Sequence, residues 1–196
     1  GQYVDMALLD TQVAMLANLG ANFLVSGKTP GRAGNAHQNI VPYQVFEVKP
    51  SPELIASNGP AARDHLILAV GNDGQNAKFC GVAGHPELAT DERFAKNTDR
   101  VKNRAILVPL LEQIMLTRTK ADWLSALEAA KVPCGAINDI GQAFADAQVQ
   151  ARGLKLNQAL APAVIDGTAI ESIASVASPL RLSATPPVLH RAPPML

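Results

Sequence analysis

The fold of this chain follows from the stretch His65-Leu66-Ile67-Leu68-Ala69-Val70-Gly71-Asn72-Asp73-Gly74-Gln75. Its first six residues are a compact, largely apolar run of strand length, which predicts a buried β-strand. Residues 71–75 are rich in turn-forming side chains and end that strand. We predict that residues 75–82 then form a helix with four apolar side chains turned inward, namely Ala77, Phe79, Cys80 and Val82. A strand, a turn and a helix in this order indicate the α/β class.

A second strand and two longer helices flank this unit. The segment Val41–Val48 contains Val, Tyr and Phe, which favours a strand. Helical spacing of apolar residues predicts helices over Asp99–Leu116 and Thr119–Lys131, with Thr119 as the N-cap of the second. The buried face of that second helix is predicted to carry Trp123, Leu124, Leu127 and Ala130. These elements predict a small body that contains both helices and strands.

The remaining segments are predicted with less regular structure. A strand over Gln2–Val4 should lead into one amphipathic helix that reaches about Val25. The segment Lys49–Asp64 is rich in Pro, Ser, Asn and Gly, and we interpret it as an irregular surface insertion. One more helix is predicted over Asp139–Ala151, and short strands over Ile165–Val176 with a turn at Gly167-Thr168. A single parallel sheet does not account for this order of elements.

Composition excludes several classes of function. The 196 residues contain 17 Lys plus Arg and 17 Asp plus Glu, so no net field attracts nucleic acid or an anionic membrane. Charged residues or Pro interrupt every apolar run before the roughly 20 residues that a membrane span needs. The two cysteines, Cys80 and Cys134, are far apart, which is typical of reduced thiols and not of a metal site. We therefore expect a soluble cytoplasmic protein without a bound metal.

The segment Gly34-Asn35-Ala36-His37-Gln38-Asn39 combines a flexible glycine with several hydrogen-bonding side chains. Such a loop suits a lid that closes over a polar intermediate and excludes water. It suits an ordinary surface turn equally well, and the residues alone do not decide between the two. His37 is the only histidine in such a setting.

The segment Gly71-Asn72-Asp73-Gly74-Gln75 directly follows a buried strand, a position where open α/β sheets often contact ligands. The residues favour a simpler interpretation, in which Asn72 or Asp73 caps the following helix. A phosphate-binding loop is excluded because Gly27-Lys28-Thr29 lacks the preceding glycine spacing and is followed by Pro30. No nucleophile elbow is present, so no catalytic residue can be named from the residues alone.

Five segments, taken in order, resemble the family III (CaiB/BaiF-type) CoA-transferases. They are Gly1–Asp10, Gly34–Gln44, Leu66–Gln75, Val132–Asp139 and Ser178–Pro186. The resemblance implies that this chain is the carboxyl-terminal part of such an enzyme, whose members are about twice as long. It also implies a Rossmann-like large domain, a smaller α+β domain, and two chains interlocked like rings.

The resemblance implies four regions along the chain. Residues 1–25 are the last βα unit of the large domain, and residues 26–38 are a linker with the glycine loop. Residues 39–132 form the small domain. Residues 133–196 form a truncated return segment towards the large domain.

In the family, an aspartate attacks the acyl-CoA thioester and an aspartyl-CoA intermediate follows. That aspartate lies upstream of this chain, so neither Asp5 nor Asp10 inherits the role. The resemblance assigns Gly34, Asn35, His37 and Gln38 to the loop that closes over the intermediates. This loop departs from the glycine-richest form by having Asn35, Ala36 and His37 between Gly34 and Gln38, which changes the shape of the lid and the preferred acceptor acid.

The expected substrates are a coenzyme A thioester and a carboxylic acid, with no other bound cofactor. The expected partner is a second copy of the chain or a complementing amino-terminal half. Two alternatives stay open: an acyl-CoA epimerase of the α-methylacyl-CoA racemase type, and an inactive fragment that serves as an assembly or binding module.

Overall fold

A computed structural model describes the backbone of residues 3–165 and 168–188, and it divides the chain into two compact units, Gly1–Ile137 and Asn138–Leu196. The helices and strands of the first unit, in chain order, are α1 (Leu8–Ala14), α2 (Ala17–Ser26), β1 (Tyr43–Val48), α3 (Pro52–Asn58), β2 (Asp64–Ala69), α4 (Asp73–Val82), α5 (Asn97–Lys102), α6 (Arg104–Met115), α7 (Lys120–Ala129) and β3 (Cys134–Ala136). A short 3-10 helix, Pro86–Ala89, follows α4.

The first unit contains an antiparallel sheet of order β1-β2-β3, in which Phe46 lies directly opposite Leu66. Alternation along the strands turns Phe46, Val48, Leu66 and Leu68 to one buried face. The core also contains helical side chains: Phe79 and Cys80 of α4, Leu107, Leu111 and Met115 of α6, and Trp123 and Leu127 of α7. The mixed α/β class predicted from the sequence is confirmed.

Helix α7 begins as predicted, with Thr119 as its N-cap. The Thr119 side chain accepts a hydrogen bond from the backbone N–H of Asp122, and the Asp122 carboxylate accepts one from the N–H of Thr119. This reciprocal pair is a capping box. The helix buries Trp123 and Leu127, while Leu124 and Ala130 are half-buried, so the predicted face is confirmed.

Three predicted helices are each divided in two. The first is interrupted between α1 and α2, where Ala17 has a positive φ of 44°. The helix predicted over Asp99–Leu116 is divided at Asn103, whose amide donates to the carbonyl of Asp99 and competes with the helical hydrogen bonds. The helix predicted over Asp139–Ala151 is divided at Asp146, which caps a new helix through Val149.

Three other predictions are wrong in detail. The segment 49–64 contains α3, because Ser51 caps it through the N–H of Leu54 and Pro52 suits its first turn. Ala77 is exposed, and the inward position in α4 is taken by Asn76. Of the strand predicted over Gln2–Val4, Tyr3 and Val4 are not in a strand, since no described strand lies beside them to form the backbone hydrogen bonds of a sheet. Gln2 lies outside the described residues.

The second unit contains α8 (Ile140–Ala145), α9 (Ala147–Ala151) and an antiparallel hairpin of β4 (Lys155–Ile165) and β5 (Thr168–Val176). The predicted strands are therefore present and begin earlier than expected. The turn predicted at Gly167-Thr168 lies partly outside the described residues. The proposed domain boundaries stay a prediction, although β3 joins the sheet of the first unit beyond residue 132.

The helices α1 and α2 bury no residue within the described part of the chain. Leu24 and Val25, for example, are 82% and 90% exposed. Among residues 3–165 and 168–188, no single helix is long and apolar enough to cross a membrane. Helices α1 and α2 meet the criteria of length and apolarity only when they are taken as a pair, and that pair is bent by 72°. Within the described residues, α1 and α2 therefore expose most of their large apolar side chains.

Candidate functional site

The loop between α2 and β1 is folded back onto β1 by its own polar groups. Gly34 has a left-handed φ of 62°, which a residue with a side chain adopts only with strain. Next to it, the Asn35 Oδ1 accepts a hydrogen bond from the N–H of Val45 at 3.1 Å. The N–H of His37 donates to the carbonyl of Tyr43 at 2.8 Å. The loop residues predicted from the sequence therefore have a defined conformation.

The His37 ring is held by two contacts. Its Nδ1 accepts a hydrogen bond from the backbone N–H of Asn39 at 3.1 Å. The ring also stacks on Tyr43, with 5.2 Å between the ring centroids and 19° between the planes. Because Nδ1 acts as the acceptor, the neutral imidazole carries its proton on Nε2.

Side chains of α5 and α6 bind the backbone carbonyls of the loop. Arg104 Nη2 donates to the carbonyls of His37 at 2.7 Å and Gln38 at 2.8 Å. The Asn97 amide donates to the carbonyl of Asn39 at 2.8 Å. These bonds attach loop residues 37–39 to helices α5 and α6.

A third side chain, Arg100, extends the same attachment. Its Nε donates to the carbonyl of Val41 at 2.6 Å, and its side chain is fully buried. Asn97, Arg100 and Arg104 were missed by the sequence predictions. They recur at intervals of three and four residues, but they belong to two helices, α5 and α6, that are divided at Asn103, so this spacing alone does not distinguish them from exposed polar side chains.

The turn between β2 and α4 is a helix cap. The Asn72 Oδ1 accepts a hydrogen bond from the N–H of Gln75 at 2.9 Å. In return, the Gln75 Oε1 accepts one from the N–H of Gly71 at 2.7 Å. The capping interpretation favoured from the sequence is confirmed for Asn72. Contact between this turn and a ligand stays a prediction for Gly71, Asn72, Asp73, Gly74 and Gln75.

Asp73 connects this turn to the loop. One of its carboxylate oxygens, Oδ1, accepts from Arg100 Nη2 and from the backbone N–H of Asn97, both at 2.9 Å. Arg100 and Asn97 in turn bind the loop carbonyls. The N–H of Val70, which precedes the turn, also donates to the carbonyl of Pro42, which follows the loop, at 3.0 Å. The structure thus brings together the two segments that the sequence singled out.

Gln38 contributes one polar atom that the surrounding protein does not satisfy. Its Oε1 is buried and has no hydrogen-bond partner among the described residues. A buried acceptor without a partner costs free energy unless another group binds it. Gln38 is therefore an available acceptor at the base of the loop.

The two cysteines of the chain are unsuited to act as catalytic nucleophiles. Burial raises the pKa of the Cys80 thiol to about 11, and burial also raises the pKa of Cys134. Both thiols are thus poor nucleophiles near neutral pH. Within the described residues, no group of three or more His, Cys, Asp and Glu side chains could hold a metal ion.

An open groove of about 440 Å³ lies beside α6. Leu88, Leu110 and Ile114 form much of its wall, and His85 and Glu87 lie at the same site. Hydrogen bonds from the Glu87 backbone and from His85 lower the pKa of the Glu87 carboxyl. The groove shares no residue with either candidate segment.

Comparisons with known proteins identify the family of the chain. The family model described as CoA-transferase family III matches residues 1–196. A succinate–glutarate CoA-transferase of Agrobacterium fabrum is 43% identical over 196 residues, which are 100% of this chain and 44% of that protein. A succinyl-CoA:glutarate CoA-transferase of Mus musculus is 36% identical over 79% of this chain and 32% of its own length.

Solved structures give the same result. A crystal structure of a CaiB/BaiF family protein from Brucella suis has a TM-score of 0.67 and 40% identity, and the match covers 95% of this chain and 43% of that one. A crystal structure of Rv3272 from Mycobacterium tuberculosis, at 20% identity and a TM-score of 0.68, supports the fold alone. The chain spans less than half the length of these relatives. Its complete match to the family model shows that it belongs to CoA-transferase family III.

Proposed function

We propose that this chain is part of an enzyme that moves CoA between dicarboxylic acids such as succinate and glutarate. The observation that carries the proposal is 43% identity, over the whole chain, to a relative described as a succinate–glutarate CoA-transferase. The substrates are an acyl-CoA thioester and a free carboxylic acid. CoA thus enters as a substrate, and no further bound cofactor is part of the proposal.

The reacting carboxylate belongs to an aspartate outside this chain. Its oxygen attacks the thioester carbonyl, the C–S bond breaks, and CoA leaves as the thiolate while a mixed anhydride forms. The thiolate then attacks the aspartyl carbonyl and releases the donor acid, which leaves an aspartyl-CoA thioester. The acceptor acid reverses these steps. This is covalent catalysis by a carboxylate, and every step is a nucleophilic acyl substitution.

Within that enzyme, the segment Gly34–Gln38 serves as the lid over the aspartyl intermediates. An anhydride or a thioester of this kind is lost if water reaches it, so the lid must exclude solvent. The hydrogen bonds from Arg104 and Asn97 support this role because they fix the base of the lid to the small domain. Gly34, at a φ of 62°, is the residue of this loop whose backbone can change on closure at the lowest steric cost.

The complete enzyme is proposed to act in the cytoplasm as a homodimer, or with an amino-terminal half that complements this chain. The many exposed apolar side chains of α1 and α2 support such assembly, because large exposed apolar patches often mark interfaces. Size-exclusion chromatography coupled to light scattering tests the dimer.

The reaction is tested with the complete enzyme that contains this chain, supplied with succinyl-CoA and glutarate labelled with ¹⁸O in the acceptor carboxyl group. The mechanism predicts glutaryl-CoA that retains one labelled oxygen at the thioester carbonyl. It also predicts that the second labelled oxygen enters an aspartate of the enzyme. Mass spectrometry of product and peptide measures both.

Other outcomes identify the alternative functions. Exchange of the α-proton in a retained thioester, without transfer of CoA, indicates an epimerase of the racemase type. Absence of any reaction in a complete, folded assembly indicates an assembly or binding module. Turnover by the isolated 196-residue chain contradicts the proposal that the reacting aspartate lies outside it.

A further inference from the structure

His37 presents a hydrogen-bond donor whose direction the fold has fixed. Its Nδ1 is occupied by the N–H of Asn39, so the proton of the neutral ring lies on Nε2. Stacking on Tyr43 limits rotation of the ring. No acceptor for Nε2 is present in the part of the chain that the structure describes, and the side chain is half-buried. A donor held in this way at a lid is suited to a ligand oxygen.

The charge next to His37 favours an anionic oxygen. The Arg104 guanidinium lies against the carbonyls of His37 and Gln38, and none of the ion pairs among the described residues includes it. Its positive charge is therefore not paired with a carboxylate of the described residues. Hydrogen bonds to a charged partner are about twice as strong as neutral ones, so a carboxylate gains most from this position.

We propose that His37 selects the acceptor acid by donating a hydrogen bond from Nε2 to the carboxylate that does not react. This inference rests on the proposed function, because a dicarboxylic acceptor carries a second carboxylate at its far end. The aspartyl intermediate holds one end of the acceptor, and the lid holds the other. A monocarboxylic acid of equal length leaves the His37 donor without a partner, which costs the enzyme binding energy.

Two matched variants separate the donor from the rest of the side chain. His37→Asn keeps an acceptor near the position of Nδ1, which can still bind Asn39, but it has no donor at the position of Nε2. His37→Gln extends an amide N–H to about that position. His65→Phe, on β2, is the control for replacement of a histidine elsewhere in the small domain.

The experiment uses the complete enzyme with succinyl-CoA as donor, and compares kcat/KM for glutarate with kcat/KM for valerate, the five-carbon monocarboxylate. For His37→Asn we expect the ratio of glutarate to valerate to fall about 10- to 100-fold, the effect of losing one hydrogen bond to a charged group. His37→Gln should retain part of the preference. His65→Phe should retain the wild-type ratio.

Three results overturn the inference. An unchanged ratio in His37→Asn shows that the ring does not contact the distal carboxylate. A raised KM for succinyl-CoA with an unchanged glutarate to valerate ratio assigns the donor to a phosphate of CoA. A wild-type enzyme that transfers CoA to neither acid contradicts the proposed function itself, and the inference fails with it.

Discussion

The Asp73 carboxylate accepts a hydrogen bond at 2.9 Å from Nη2 of Arg100, a side chain with no exposed surface. Arg100 also donates from Nε to the backbone carbonyl of Val41 and from Nη1 to those of Phe94 and Ala95. Its charge is therefore compensated by Asp73 alone among the described carboxylates. Through the bond of Arg100 to Val41, the pair joins the start of α4 to the end of the loop between α2 and β1, so the stability of the first unit and the position of that loop depend on the same contact.

Replacement of Asp73 by Ala should destabilise the first unit by about 2–3 kcal/mol. Breaking a fully buried ion pair costs about 3–5 kcal/mol, and the value is reduced here because the Asp73 side chain is 41% exposed. Urea unfolding, followed by fluorescence of the single, fully buried Trp123, measures the change. Glu47→Gln is the matched control, because it breaks an exposed pair with Arg63 and should cost under about 1 kcal/mol. Equal effects of the two variants contradict the prediction.

Substitution of Asn72 separates its role as a helix cap from contact with a ligand. Asn72→Ala should lower the free energy of unfolding by about 1 kcal/mol, because the N–H of Gln75 loses its partner. Asn72→Asp keeps an acceptor and adds a charge that is favourable at a helix N-terminus, so stability should be retained. If the complete enzyme with Asn72→Asp is as stable as the wild type but has a raised KM, the turn also contacts a substrate. A loss of stability in Asn72→Asp contradicts the capping assignment.

Local patterns in the sequence predicted the core elements well. The apolar run at residues 65–70 gives β2, and Thr119 followed by helical spacing gives α7 with Trp123 and Leu127 buried. These features depend on side-chain periodicity and on capping hydrogen bonds within a few residues. The same local chemistry also marks α3, since Ser51-Pro52-Glu53 is a helix start. The high content of turn-forming residues concealed it.

The connections of the candidate site could not be predicted from local patterns. Arg104 binds carbonyls 66 and 67 residues away in the chain. Arg100 binds Asp73 and Val41 from a position that the sequence assigns to an ordinary amphipathic helix. Backbone carbonyls carry no sequence signal, so an arginine that binds them resembles any surface cation until the fold is known.

The stability of the first unit should fall as the pH rises from 9 to about 11, through the buried thiol of Cys80. Burial raises its pKa to about 11, so the folded state keeps a proton that the unfolded state loses above pH 9. The native state then binds more protons, which makes stability decrease with pH in this window, by about 2–3 kcal/mol in total. Unfolding measured over this range should show a shallower decline for Cys80→Ala than for the wild type. A decline that is equally steep in both contradicts the assignment.

Charged substitutions on α1 and α2 should reduce self-association of the isolated chain. Leu8 and Leu24 are 89% and 82% exposed, so Leu8→Glu with Leu24→Glu removes apolar surface without opening a cavity. We expect weaker binding of a hydrophobic dye and less aggregation, with the free energy of unfolding changed by no more than about 0.5 kcal/mol. In the complete enzyme, the same double substitution should impair assembly. Normal assembly there shows that this surface is not an interface.

Loss of the Arg104 guanidinium should loosen the lid without unfolding the small domain. Arg104→Leu keeps the aliphatic packing but removes the hydrogen bonds to the carbonyls of His37 and Gln38. Amide hydrogen exchange should therefore accelerate at residues 37–41 and stay unchanged in β2. In the complete enzyme, water then reaches the aspartyl intermediate more often, so the ratio of acyl-CoA hydrolysis to CoA transfer should rise by at least about tenfold, the effect of losing one of the two hydrogen bonds.

Two comparisons keep this last prediction specific to Arg104. Arg104→Lys supplies a cation that can bind one carbonyl at a time. Compared with Arg104→Leu, it should lower the ratio of acyl-CoA hydrolysis to CoA transfer part of the way to the wild-type value. It should slow amide exchange at residues 37–41 to a smaller extent. Lys102→Met removes an exposed cation of α5, and it should change neither quantity, because Lys102 pairs only with the nearby Asp99 in the described part of the chain. Faster hydrolysis in Lys102→Met indicates an effect of net charge. Arg104 binds the carbonyls of both His37 and Gln38, whereas Asn97 binds only that of Asn39, so loss of Arg104 should release residues 37 and 38 while Asn39 stays attached.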